Sequence, residues 1–138
     1  MPDRESINCR VVTPTGTAFE KKNVTFIKCH GPKGEIGVLP NHSSTISKLS
    51  MGDVVIRDAD GDSLYYLSEG VLHIRPEEVV ILTPSIEPSS SIDKKRAVLS
   101  KERALKRLAE RGNDVDKSRA RLSLLRSEAR LTVVKGLN

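Results

Sequence analysis

From Asp93 to Arg111 the chain contains neither glycine nor proline, whereas before residue 90 turn-forming residues interrupt it about every ten residues. That contrast restricts the fold. The front part cannot hold a long helix, and the back part has nothing to stop one. Residues 5–13 alternate, with Ile7, Cys9 and Val11 on one face and Asn8 and Arg10 on the other, the period of a half-buried strand. Thr13 to Thr17 reads as a turn. Residues 24–30 form a β-rich run that Gly31-Pro32-Lys33-Gly34 breaks. Val54-Val55-Ile56 leads to a hairpin turn at Asp60-Gly61, and Leu64 to Leu67 returns from it. Glu69-Gly70 turns again, Val71 to Arg75 alternates, and Val79 to Leu82 is a dense β-branched run. Short strands at this spacing predict a sandwich or barrel.

Pro84 to Ser91 holds two prolines and four serines and reads as a linker. Ser91 or Asp93 is placed to cap the helix that follows. Its expected apolar stripe is Ala97, Val98, Ala104, Leu105 and Leu108, and Gly112-Asn113 is the expected stop. Asp114 or Asp116 starts a second helix, with an expected stripe of Val115, Ser118, Leu122, Leu125 and Ala129. Each helix should be about 18–20 residues, roughly 27–30 Å, and so short a connection makes them antiparallel. The expected fold is α+β: a β-sandwich over 1–84, a linker over 85–92 and an antiparallel two-helix hairpin over 93–138. The stripes are thin and rich in alanine, so the hairpin should be weakly held and able to move.

Charge divides at the same place. Residues 1–92 carry nine Lys/Arg against twelve Asp/Glu, a balance of −3; residues 93–138 carry fourteen against six, a balance of +8. Such a split indicates two units with different partners. With 37% hydrophobic residues, two Phe and two Tyr, one compact globule of 138 residues is not expected. No apolar run is long enough to span a membrane, and Met1 to Glu5 lacks the pattern of a signal peptide. The chain is expected to stay in a reducing cytosol, with Cys9 and Cys29 as buried free thiols.

Catalytic chemistry finds little support. Cys29 and His30 point to opposite faces of a strand, and His42-Ser43 has no third group to orient it. His73 stands alone. No Cys-x-x-Cys or His-x-x-x-His spacing occurs, and Asp58, Asp60 and Asp62 lack the closing glutamate of a calcium loop. No catalytic residue and no metal are expected. A basic helix pair can neutralise phosphates. It contains no aromatic for stacking, and Glu102, Glu110 and Glu128 interrupt it, so a solvated face or an acidic protein partner is the stronger reading. A basic nucleic-acid-binding module stays as an alternative, as does a freestanding ATP sensor.

Two short segments carry more. Gly34-Glu35-Ile36-Gly37-Val38-Leu39-Pro40-Asn41-His42 reads as a tight turn, a strand of two or three residues and a second sharp turn, with Glu35 and His42 at an exposed end of the β-structure. The segment resembles the G-E-[LI]-G-[IV]-L-P-G-H signature of epsilon subunits of F-type ATP synthases. Asn41 stands where that family usually has glycine, and asparagine tolerates the left-handed region that such a turn needs. Leu64 to Pro76 is similar to the family's apolar-x-S-G-G-F-L-E-V-x-P block, with Glu69 at its first glycine. Asp114-Val115-Asp116, Arg119-Ala120 and Arg130-Leu131 resemble its second helix. The second segment, Ile92-Asp93-Lys94-Lys95-Arg96-Ala97, is by itself a helix start with an i,i+3 Asp–Arg pair. It matches the I-D-x-x-R-A motif by which the epsilon chains of bacilli bind ATP. Glu87 falls where that family places an acidic ligand, and Arg126 and Arg130 where it places phosphate-facing arginines. These two are four apart, hence on one helical face, and can converge on a polyphosphate.

The resemblance implies a non-catalytic rotor subunit, peripheral on the cytoplasmic face of the membrane through its complex. Its sandwich would clamp the gamma subunit and rest on the c-ring, with Glu35 and His42 at that contact. Its hairpin would either fold on the sandwich or extend along gamma, block ATP hydrolysis and face the alpha and beta subunits. ATP enters as a regulatory ligand addressed by Glu87, Ile92, Asp93, Arg96, Ala97, Arg126 and Arg130, with no cofactor required. No Walker loop occurs, so no hydrolysis by this chain is implied.

Overall fold

The computed structural model describes residues 5–112 and 114–135, with the side chain of Val115 also outside the described set. Ten strands come first: β1 Ile7–Thr13, β2 Gly16–Val24, β3 Phe26–Gly31, β4 Gly34–Val38, β5 Thr45–Leu49, β6 Gly52–Asp58, β7 Gly61–Leu67, β8 Gly70–Ile74, β9 Glu78–Leu82 and β10 Ile86–Pro88. A 3-10 turn at Ser89–Ser91 leads into helices α1 Lys94–Ala109 and α2 Asp114–Lys135. The strands form two five-stranded sheets, ordered β2-β1-β9-β8-β5 and β10-β7-β6-β3-β4.

The sheets face each other across Ile7, Cys9, Val11, Ile27, Cys29, Val54, Ile56, Leu67, Leu72, Val79 and Ile81, all buried. The alternation read from residues 5–13 is the inner face of β1. Pairing is antiparallel except between β1 and β9, which run parallel with Cys9 opposite Val79. The side chains of Arg10 and Glu78 bridge that pair at 3.1 Å. Three hairpins use one device, a two-residue loop followed by a glycine with positive φ: Gly16 at 120°, Gly34 at 128° and Gly61 at 115°. Both cysteines are buried free thiols, and burial pushes Cys9 up to about 12 and Cys29 to about 11.

The structure departs from the sequence reading at several elements. β2 and β5 have no apolar alternation and were not anticipated; both are edge strands, and Ile46 of β5 is largely exposed. β4 has five residues rather than two or three, because pairing with β3 carries it through Gly37. Part of the expected linker is strand: Ile86, Glu87 and Pro88 pair with Leu67, Tyr66 and Tyr65. Proline is tolerated there because β10 is an edge. α1 stops at Ala109, where Glu110 turns extended and donates its amide to the Arg107 carbonyl, so Gly112 is not the terminator. Asn113 lies outside the described residues.

The buried face of α2 also differs. Ala120, Ser127 and Val133 are buried, while Leu122 and Leu125 are exposed and Ser118 faces solvent; Ala129 of the expected stripe is half-buried. In α1, Ala97 and Ala104 are buried but Leu105 is exposed. The reason is that α2 lies against both α1 and the outer face of β6 and β7. Close approach to two neighbours selects small residues, and leucines are turned outward. The hairpin is therefore folded onto the sandwich.

Candidate functional site

The site grows from the joint between sandwich and hairpin. β10 sets Glu87 opposite Tyr66 on the outer face of its sheet. The 3-10 turn then carries the chain to Asp93, whose carboxylate accepts from the Arg96 amide at 3.0 Å. The expected Asp93–Arg96 pair is thus a helix cap rather than an ion pair between side chains, and it satisfies one of the free amides of the first turn. From α2, Arg130 donates through Nε and Nη2 to both Glu87 carboxylate oxygens, each at 3.1 Å. Its guanidinium also lies 4.6 Å from the centre of the Tyr66 ring. A forked ion pair with an aromatic floor is the arrangement that arginine forms and lysine cannot.

Around this joint opens a cleft of about 540 Å³. Glu87, Ile92, Asp93, Arg96, Ala97 and Arg130 line it, together with Ser91, Ser100 and Arg103. Six of the seven expected ligand residues therefore share one wall system. Arg126 does not reach it. Arg126 lines an adjoining hollow of about 410 Å³ with Tyr66, Ser68, Ser85, Ser100, Ser123 and Arg130. Arg130 and Ser100 are common to both spaces, so the arginines four apart on α2 face two adjoining hollows.

Ser100 and Arg103 follow Arg96 at helical spacing, and that spacing was the signal available for them. Tyr66 gave no signal, because it sits on a strand and only the docking of α2 makes it part of a site. Its phenol is raised by burial, which outweighs the opposing pull of the Arg130 and Arg126 cations.

Glu35 and His42 are both exposed. They are not at one end of the β-structure, since the five-residue β4 separates them: Glu35 sits by the hairpin at Pro32-Lys33, 3.8 Å from the Lys28 ammonium, and His42 lies past Val38. His42 donates its amide to the Leu39 carbonyl at 3.2 Å across Pro40 and Asn41, and Asn41 has φ of 72°. Proline followed by a left-handed residue defines a type II turn. The three aspartates of the β6–β7 hairpin serve that turn: Asp58 accepts from the Asp60 amide, and Asp62 pairs with Arg57 at 2.7 Å. No group of three or more metal-ligating side chains gathers among the described residues, and no helix there is long and apolar enough to cross a membrane.

Fold and cleft together define a class: a β-sandwich whose C-terminal helical hairpin folds over one sheet and closes a charged space at the joint. Residues 6–89 match the family described as ATP synthase, Delta/Epsilon chain, beta-sandwich domain, and residues 90–135 match its long alpha-helix domain. The chain is 35% identical over 129 residues to the ATP synthase epsilon chain of Bacillus velezensis, covering 94% of this chain and 97% of the relative. Against the epsilon chain of Halalkalibacterium halodurans it is 36% identical over 129 residues, covering 93% and 96%. The same fold occurs in the Euglena gracilis mitochondrial ATP synthase, in a structure of its OSCP, F1 and c-ring, with a TM-score of 0.86 at 20% identity, covering 100% of this chain and 85% of that one. The chain belongs to the ATP synthase delta/epsilon family, as an epsilon-type, non-catalytic subunit.

Proposed function

We propose that this chain is a rotor subunit that joins the central stalk to the c-ring and restrains ATP hydrolysis through an ATP-responsive hairpin. On this reading the sandwich contacts gamma and the c-ring, with Glu35 and His42, on either side of most of edge strand β4, on the surface that meets the ring. The hairpin, when released at the 3-10 turn Ser89–Ser91 that follows β10, turns its cationic faces toward alpha and beta subunits. The complex is peripheral on the cytoplasmic face of the membrane. The names of the relatives, and the assemblies in which the structural neighbours occur, support the choice of partners.

The observation that carries the regulatory reading is the Glu87–Arg130 fork. It joins the sandwich's last strand to the last turns of α2, across a cleft that also holds Ile92, Asp93, Arg96 and Ala97. That cleft exists only while the hairpin is folded. A ligand that binds one state alone shifts the population toward it. High ATP would then keep the compact form, and low ATP would release the helices. The hairpin's cations would be drawn to acidic partners by forces that weaken with salt.

Calorimetry on the full chain tests this. Arg126→Ala is expected to weaken ATP binding about ten-fold or more, since a charge-assisted contact is removed, while the sandwich melts as before. Equal affinity in the two proteins removes Arg126 from the site.

A further inference from the structure

The Tyr66 hydroxyl is buried and has no hydrogen-bond partner among the described residues. The residue as a whole is 1% exposed. A buried hydroxyl left unsatisfied is costly and uncommon, so it calls for a partner that the chain itself does not supply. Its surroundings indicate the chemistry of that partner. Tyr66 lines the hollow of about 410 Å³ on the sandwich side, with Ser68 and Ser85; Ser100, Ser123, Arg126 and Arg130 close it from the helices. Arg126 has no hydrogen bond or ion pair with any described residue. Arg130 uses Nε and Nη2 on Glu87, which leaves Nη1 unused. The Ser100 and Ser123 hydroxyls stand 3.5 Å apart, too far for a strong bond to each other. Donors and cations thus converge on a space whose lining includes one acidic side chain, Glu69, while Glu87 acts on the Tyr66 phenol from β10.

We propose that Tyr66 is a binding residue for the terminal phosphates of the nucleotide: its hydroxyl donates to a phosphate oxygen that Arg126 and Arg130 hold from the other side. The inference rests on the ATP reading above and adds to it a second residue of the sandwich, beside Glu87 of β10. A phosphate gripped from β7 and from α2 at once clamps the hairpin down directly, whereas contacts within the hairpin alone would leave its docking unaffected. The neutral phenol, kept protonated by burial, is the form that can donate.

Tyr66→Phe is the test, since it keeps the ring beneath Arg130 and removes only the oxygen. Full-length wild type and variant would be titrated calorimetrically with ATP, adenosine and inorganic tripolyphosphate, and melted without ligand. The expected result is a loss of roughly ten-fold in affinity for ATP and tripolyphosphate, with adenosine unchanged and the melting temperature not lowered. Unchanged tripolyphosphate affinity in the variant overturns the proposal, because a water then satisfies the hydroxyl. A clear fall in melting temperature overturns it too, because the oxygen is then structural. Wild-type binding of tripolyphosphate but not ATP would sink the nucleotide reading and leave the phosphate hollow standing; binding of ATP with no effect of Tyr66→Phe would do the reverse. Binding of neither anion defeats both.

Discussion

Single positions show how local chemistry absorbs departures from a family pattern. Asn41 replaces a glycine and still adopts φ of 72°, in the region that asparagine enters more easily than other side chains. Glu69 replaces another glycine without adopting a positive φ. The next residue is the one that must stay glycine, because a Cβ on Gly70 would collide with the Leu82 carbonyl. Asp53 makes a testable case of a titrating group. Burial works to raise its carboxyl, but the His30 hydrogen bond at 2.6 Å, followed by the Lys28 ammonium at 3.4 Å, outweighs burial and holds it below its usual value. A carboxyl depressed in the folded state stabilises above its unfolded value and loses that contribution as pH falls through the folded one. Chemical denaturation as a function of pH should therefore show wild type weakening on the acid side of pH 4 more steeply than Asp53→Asn. Parallel curves would remove Asp53 from the account.

At the scale of elements, the strands that the sequence announces and those it hides differ by position in the sheet. β1, β3, β6, β7, β8 and β9 are interior strands, and their buried residues produce alternation or dense apolar runs. β2, β4, β5 and β10 are the edges, and these are the ones missed or mis-sized. An edge has one neighbour and more water, so its side chains need not alternate. The helices were legible as helices because nothing breaks them; the expected stripe of α1 held except at Leu105, but the buried face of α2 was not legible. Ala104 and Ala120 line the space between α1 and α2 with Ser100 and Ser123, so the helices are joined by small side chains. Ala120→Gly should remove a buried methyl and weaken the helix that carries it, at a cost of about 1 kcal/mol or more. Hydrogen exchange across α1 and α2 reads it: faster exchange confined to the hairpin is expected, and unchanged protection would mean that the helices are not packed there.

For the molecule as a whole, the decisive contact is between units of opposite charge balance. The Glu87 and Arg130 side chains are each about one-third exposed, so their pair contributes modestly, about 1 kcal/mol. For a hairpin held as weakly as its thin apolar stripes predict, that is enough to change the docked fraction several-fold. Glu87→Gln should accordingly speed tryptic cleavage within α2 while leaving the melting of the sandwich in place; an unchanged cleavage rate would show that the fork does not secure the hairpin. Sequence alone determined the class of fold, the division near residue 90, a helix cap at Ser91 or Asp93, of which the structure uses Asp93, and six residues that share the cleft at the joint. These follow from periodicity and turn chemistry, which act between near neighbours. Tertiary structure decided the edge strands, the alanine-and-serine face of α2 and the entry of Tyr66 into the site. Each of these depends on which surfaces meet, and the meeting of distant surfaces leaves no local period to read.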